Sequence, residues 1–275
     1  MSSPDLTDLE REAVAAVLRT PNLSMGKEIT LFEAAFTRLT GLKHAIGVNS
    51  GTAGLHLCVH AAGIQAGDLV ITTPFSFVAS ANALLFERAV PIFVDVDPLT
   101  GNLDPALAAQ AAADLTQGDA AARRWLPPQG ADPGAPLKAI LAVDVFGQPA
   151  DYDLLQQTAQ HYGLRLIEDS CEALGAAYKG RLAGTLGETA VVRGDRFHYG
   201  DGRIEALQFR TAVRRELLQR RRLERAAREP ADQVLAESLD GRGVDLGPRQ
   251  RGSEWGIAQQ VHVTLCDAHA AGRRD

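Results

Sequence analysis

Residues 45–62 read AIGVNSGTAGLHLCVHAA. The run at 45–48 is short, apolar and β-rich, residues 49–54 (Asn-Ser-Gly-Thr-Ala-Gly) form a tight turn of small residues, and 55–62 is apolar enough for a buried helix. A strand passing straight into a helix is the building unit of a parallel sheet, whose strands need helical crossovers. The same alternation extends outward. Upstream, residues 7–18 are an amphipathic helix opened by Thr7 with Glu10 as a capping box, and residues 28–39 a second helix closed by Gly41. Downstream, apolar runs at 69–72, 91–95, 139–145 and 165–168 alternate with helical segments at 76–86, 105–113 and 151–162. This pattern predicts an α/β fold with a mainly parallel sheet covered by helices on both faces. Residues 117–136, rich in Ala, Gly, Pro and Gln, read as a long surface loop without an assigned function.

Three places on this framework carry chemistry. The turn at 49–54 puts small residues and backbone N–H groups at a helix start, where the dipole and unpaired donors favour an anion such as phosphate. It is neither a Walker loop nor G-x-G-x-x-G, and a plain tight connection accounts for the same residues. Ile167-Glu168-Asp169-Ser170 sets two acids at the C-terminal end of an apolar strand, the edge where α/β sheets bind ligands. An acid there can hold a cationic ring nitrogen, or it can cap a following helix. Thr73-Pro74-Phe75-Ser76-Phe77 follows another strand end, and its rings can cover a flat cofactor or join the core.

Composition narrows the class. In 275 residues, 45% are hydrophobic and 23% charged, which suits one large or two small folded domains. The three cysteines, Cys58, Cys171 and Cys266, are odd in number and widely spaced without a C-x-x-C pair, against a disulfide framework or zinc knuckle. The N-terminus carries acids where a signal peptide needs basic and apolar runs, and no stretch reaches the roughly 18 apolar residues of a membrane span. A cytoplasmic protein is expected. The net charge of −6 conceals a break: residues 1–192 hold 12 Lys+Arg against 21 Asp+Glu, and residues 193–275 hold 16 against 13. All four lysines (Lys27, Lys43, Lys138, Lys179) lie in the first part, whereas 16 of 24 arginines lie in the last 83 residues.

From about residue 9 to 192 the chain resembles the DegT/DnrJ/EryC1/StrS family of sugar aminotransferases, pyridoxal-phosphate enzymes of fold type I. The blocks that carry the likeness are Gly26 with Glu33 and Phe36, then GLKHAIGVNSGTAGLHL, GDLVITTPFSFVASANA, VPIFVDVDPLTGNLDP, AVDVFGQPADYD and LIEDSCEALGAAYKGRLAGTLGETAV, in order. The resemblance implies a pyridoxal 5'-phosphate-binding large domain at 1–192. It further implies that Gly51, Thr52 and Ala53 hold the cofactor phosphate and that Phe77 stacks on the ring. Asp169 would pair with the protonated ring nitrogen, keeping the ring an electron sink. Glu172 falls where the family often has Gln or His beside the ring. Substrates implied are an amino-acid donor and a keto group on a nucleotide-linked sugar or similar cyclic ketone, handled by a homodimer.

After Val191 the likeness stops. The family continues into a segment bearing the lysine that forms the Schiff base, whereas this chain continues VVRGDRFHYGDGRIEALQFR, with Arg193 in place of a phosphate-contacting Ser and no lysine beyond Lys179. Arginine is too basic to replace that lysine as a general base. The resemblance therefore implies a chain inactive in transamination as written, and a truncated one. His198 falls near the lysine position, as in lysine-less sugar dehydratases of the family that use a His base. Alternatively the reading frame changes near Val192, which accounts for excess Arg, absent Lys and an early stop; residues 193–275 then form an Arg-rich tail foreign to the fold. Within it, Ala206, Phe209, Val213 and Leu217 are spaced for a partial helix. Interleaved Glu216, Glu224 and Glu229 favour a solvated segment over a nucleic-acid binder, although a non-catalytic cofactor- or nucleic-acid-binding protein stays open. Disorder is expected from residue 240, the apolar piece 260–266 is too short for a domain, and the sheet is expected to lack the strand that follows residue 189.

Overall fold

The computed structural model describes residues 8–193, apart from positions 119, 129, 130 and 133, together with residues 262–266. Two helices, α1 (Asp8–Leu18) and α2 (Lys27–Thr40), lead into β1 (His44–Val48) and α3 (Gly51–Ala61). The chain continues through β2 (Leu69–Thr72), α4 (Ala79–Phe86), β3 (Val90–Phe93), α5 (Pro105–Gln117), β4 (Leu137–Val143), α6 (Tyr152–Tyr162) and β5 (Arg165–Ser170). A small hairpin, β6 (Ala177–Tyr178) and β7 (Arg181–Leu182), precedes β8 (Thr189–Arg193), and β9 (His262–Cys266) completes the described chain.

Seven strands form one sheet in the order β1-β9-β8-β5-β4-β2-β3. The pairs β2–β3, β2–β4, β4–β5 and β5–β8 are parallel, while β9 lies antiparallel to both β1 and β8. The expected mainly parallel α/β sheet is therefore present, and it is not short of a strand. The segment 262–266 fills the slot beside β8, pairing all five of its residues on each side. This corrects the expectations of a missing strand and of disorder throughout the tail beyond residue 240. Two facing strand edges offer unpaired N–H and C=O groups, and a short β-prone segment satisfies both rows at once. The helical reading of 204–237 and the capping Thr7 lie outside the described residues.

Strand side chains alternate between two cores. Leu69, Ile71, Ile140, Ala142 and Leu166 pack against α5 and α6 in one cluster that also holds Tyr152 and Leu155. Val70, Ala139, Leu141, Val143, Ile167 and Val191 pack in a second cluster with Leu55, Cys58 and Val59 of α3 and Ala83 and Leu84 of α4. The period of two thus places consecutive residues of one strand on opposite faces. A third cluster sets Phe36 of α2 on Ala45, Ala190 and Val192. Residues such as Leu69, Ile71, Ile140 and Ile167 have no exposed surface, and burying each contributes about 1.5–3 kcal/mol.

Local details differ from the sequence reading in instructive ways. α2 ends as expected on Gly41, whose φ of 72° supplies the left-handed cap. α3 begins at Gly51 rather than residue 55, because Ser50 is its N-cap and accepts from the Ala53 amide; the small residues are the first helical turn. α4 starts at Ala79 rather than residue 76. The stretch read as a surface loop contains a 3-10 turn at Ala122–Arg124, pinned where Arg124 and the Trp125 indole N–H both donate to Asp114 at 2.5 and 2.8 Å.

Candidate functional site

The C-terminal ends of β1, β2, β4 and β5 lie along one edge of the sheet, and each delivers residues to it. On β5, Ile167 packs into the α3/α4 core, so Asp169, two residues on, faces the same side. The strand runs through Ser170, and a turn follows it. Asp169 is accordingly a strand residue aimed at the ends of two helices, and the helix-cap reading of this acid is excluded. Its Oδ2 accepts from Ser80 Oγ at 2.8 Å and its Oδ1 from the Cys171 amide at 3.3 Å. Ser80 sits in the first turn of α4 and shares a 2.7 Å contact with Ser76 Oγ. Only 7% of Asp169 is exposed, and burial holds its carboxyl above the ordinary range, against the pull of Ser80 and Cys171 and with a small push from Glu172.

The start of α3 supplies the complementary group. Ala53 N–H is occupied by Ser50 Oγ at 3.1 Å, and Gly54 N–H makes the first bond to the Ser50 carbonyl at 3.0 Å. The amides of Gly51 and Thr52, as the first helical positions, have no carbonyl one turn earlier to donate to. All three residues are half-buried. Cys58 of α3 and Cys171 belong to the same cluster, so this helix packs on the face that carries Asp169. A donor pair with a positive dipole end and a buried carboxylate thus share one edge and one face.

Around them lie aromatic and acidic groups from the neighbouring loops. Phe77, between β2 and α4, is 75% exposed, with its carbonyl bonded to the Ser80 amide at 3.1 Å and its ring open to solvent. Phe75 meets Phe146 edge-on, ring centres 5.8 Å apart. Glu172 accepts the Phe146 amide on Oε2 at 2.9 Å, holding a residue whose φ of 54° is costly for a side chain of that size. Gly147, next to it, has a φ of 87°, and an added Cβ would come within 3.2 Å of the Glu172 carbonyl. Asn102 buttresses the same turn through the Val145 amide at 3.0 Å and the Gln148 carbonyl at 2.8 Å.

Gly51, Thr52 and Ala53 thus open α3, which packs on the sheet face that carries Asp169 of β5, and Phe77 and Glu172 lie on loops that follow β2 and β5. His198 lies outside the described residues. The sequence reading missed Ser80, Phe146 and Asn102. Ser76 and Ser80 at i, i+4 spacing carried the one local signal; the partner of Ser80 stands 89 residues away. Lys43 and Lys138 stand at the opposite end of β1 and β4, Lys27 is exposed at the start of α2, and Lys179, in the turn of the β6–β7 hairpin, is paired with Asp153. Among the described residues no cluster of His, Cys, Asp and Glu could hold a metal ion, and no helix is long and apolar enough to cross a membrane.

Residues 4–193 match the family described as DegT/DnrJ/EryC1/StrS aminotransferase. The chain is 38% identical over 191 residues to GDP-perosamine synthase of Caulobacter vibrioides, covering 69% of this chain and 46% of that one. It is 32% identical over 192 residues to the putative pyridoxal phosphate-dependent aminotransferase EpsN of Bacillus subtilis, covering 70% and 46%. The X-ray structure of the aminotransferase from Psychrobacter cryohalolentis superposes with a TM-score of 0.59 at 32% identity, covering 70% and 44%. The chain thus spans about half the length of the curated relatives it matches.

Proposed function

Because the chain belongs to the DegT/DnrJ/EryC1/StrS aminotransferase family, we propose that residues 1–192 are the cofactor-binding large domain of a pyridoxal 5'-phosphate aminotransferase acting between an amino-acid donor and a keto sugar. Residues 193–275 make up a second segment, described at Arg193, the last residue of β8, and at β9. The observation that carries the reading is Asp169: a carboxylate that is nearly buried and held by the Ser80 hydroxyl and by the amide and thiol of Cys171, with no cation among these partners.

The residues present fit the cofactor's two ends. A phosphate matches the Gly51 and Thr52 amides, with Ser50 tying the turn through Ala53 so that these donors stay oriented. A protonated ring nitrogen matches Asp169, which Ser80 keeps from rotating. Phe77 has the exposed face needed to cover a ring, and Glu172 stands beside it with one oxygen committed to Phe146. When bound, the cofactor supplies the electron sink for breaking a bond at the amino-bearing carbon. Asp169 keeps that sink cationic, and the rings of Phe77 and Phe75 exclude water from it. We propose further that the second copy in a homodimer closes the site and that a nucleotide-linked sugar is the acceptor, in line with the sugar-nucleotide name of the Caulobacter relative.

Transamination also needs a lysine for the covalent link to the cofactor, and the sequence holds none beyond Lys179. The chain as written is expected to bind cofactor without a covalent bond. The test is absorbance with added pyridoxal phosphate, then borohydride reduction and intact mass. Reversible binding without a retained mass increment is expected. A retained increment would overturn the claim about lysine, and no binding at all would overturn the cofactor reading. The gene's nucleotide sequence checks the altered-frame account of residues 193–275: uniform codon usage in one frame through both parts would sink it.

A further inference from the structure

The face of the sheet opposite Asp169 carries a second acidic group that the cofactor reading does not use. Asp144, just past β4, and Glu168 and Ser170 on β5 are fully buried, as is Tyr152 of α6. Glu168 Oε2 accepts the amides of Leu186 and Gly187, each at 2.8 Å. Its Oε1 accepts the Gly184 amide and lies 2.9 Å from Ser170 Oγ. Asp144 Oδ1 accepts the Tyr152 hydroxyl at 2.8 Å and the Ala150 amide at 3.0 Å, and its Oδ2 lies 2.5 Å from Ser170 Oγ.

Counting protons shows that two ionised acids do not satisfy this arrangement. Ser170 owns one hydroxyl proton and faces two carboxyl oxygens. With both acids charged, one of the two contacts would be oxygen against oxygen with no proton between, among residues that are fully buried. One added proton completes the set, and its place follows from the donors. Three fixed amides and a hydroxyl fill the acceptor sites of Glu168, so a proton there would face an N–H. Asp144 Oδ2 faces only a hydroxyl oxygen, which can accept.

We propose that Asp144 is a resident neutral carboxylic acid, donating from Oδ2 to Ser170 Oγ while Ser170 donates to Glu168. The result is a directed chain Tyr152 to Asp144 to Ser170 to Glu168 that ends on the one anion. Burial agrees with it, pushing the Asp144 carboxyl well above its ordinary range, with the charge of Glu168 as the second cause. The titratable groups around Asp144 are Glu168 and Asp169 from β5 and Tyr152 from α6; the Tyr152 phenol is itself driven well up by burial and by these acids, so it stays a donor. Asp144 acts as a positioning residue: its amide donates to the Asp169 carbonyl at 3.0 Å, so the chain ties the ends of β4 and β5 together at the level of the site. The proposal is independent of which ligand that site takes.

Infrared spectroscopy of the full chain at pH 7 tests it. The carbonyl stretch of a protonated carboxylic acid should appear above the amide band, shift on labelling aspartate with 13C at the side-chain carboxyl, and vanish in Asp144→Asn. That substitution keeps one donor and one acceptor in place, so the variant should fold. If it does not, Ser170→Ala must move the band, since Asp169 bonds to Ser80 and not to Ser170. No protonated-carboxyl band, a band insensitive to aspartate labelling, or a band unchanged in both variants would each overturn the assignment.

Discussion

Glu168 and Asp169 are neighbours on one strand, carry the same functional group and are both almost wholly buried, yet they stand in opposite conditions. Glu168 faces α6 and collects three amides and a hydroxyl from the 184–187 turn and Ser170. Asp169 faces α3 and α4 and collects one hydroxyl, one long amide contact and the weak thiol donor of Cys171. The first is an anion whose partners are supplied by the fold, and its work is to shape that fold. The second is an anion the fold leaves short of donors, and the shortfall is what a cationic ligand relieves. Sequence proximity to a site thus says little about which acid serves it; the donor inventory on each face does.

The comparison can be broken most forcefully at Glu168. Glu168→Gln puts an NH2 donor where backbone N–H groups need an acceptor, and the amides it faces are buried; a loss of roughly 3–5 kcal/mol in urea unfolding is expected, with little of it recovered by cofactor. Asp169→Asn should do the reverse. Stability should hold or rise, while cofactor affinity should fall by about 2–3 kcal/mol, or roughly 100-fold, read by titration of the absorbance change. Equal losses of stability in the two variants would erase the distinction.

A pH series sharpens the contrast. The folded-state carboxyl of Asp169 lies above its unfolded value, so the native state binds the extra proton. Its contribution is most favourable below the ordinary aspartate range and declines as pH rises through the raised value, by up to about 1.4 kcal/mol per pH unit for one proton. Denaturation of the cofactor-free protein should show this slope, and Asp169→Asn should flatten it. Cofactor should also flatten it, since a cation beside the carboxylate lowers its proton affinity. The smallest effect belongs to Ser80→Ala, about 1 kcal/mol in cofactor affinity, because it removes only the hydroxyl that orients Asp169.

The parts of this arrangement that were legible in the sequence are those set by local periodicity. Alternating strands and helices, Gly41 as a stop signal and the anion-binding turn all follow from residues within a few positions of one another. Asp169 was recognisable as an acid at a strand end, but whether it capped a helix depended on Ser80, far away in the chain. Glu168 looked equivalent to Asp169 because nothing nearby announces the amides of 184–187, whose approach requires a glycine: a Cβ at Gly187 would lie 2.9 Å from the Leu166 carbonyl. The fate of 262–266 was illegible for a related reason. A five-residue β-prone piece gains nothing alone, and its value comes from two strand edges contributed by residues 44–48 and 189–193.

That inserted strand sets a timetable. Among the described strands β1 has β9 as its one neighbour in the sheet, so within them it has no hydrogen-bonding partner until residue 262 follows it out of the ribosome. At bacterial-like elongation rates of about 5–20 residues per second, the gap between the emergence of β8 and that of β9 is on the order of 3–14 s. During that interval β2, β3, β4, β5 and β8 can already zip together in parallel, leaving β8 as an open margin. The protein's most vulnerable moment therefore falls between the synthesis of β8 and that of β9, when the nascent sheet exposes a strand edge to any other chain and when chaperone occupancy, rather than final stability, decides the yield.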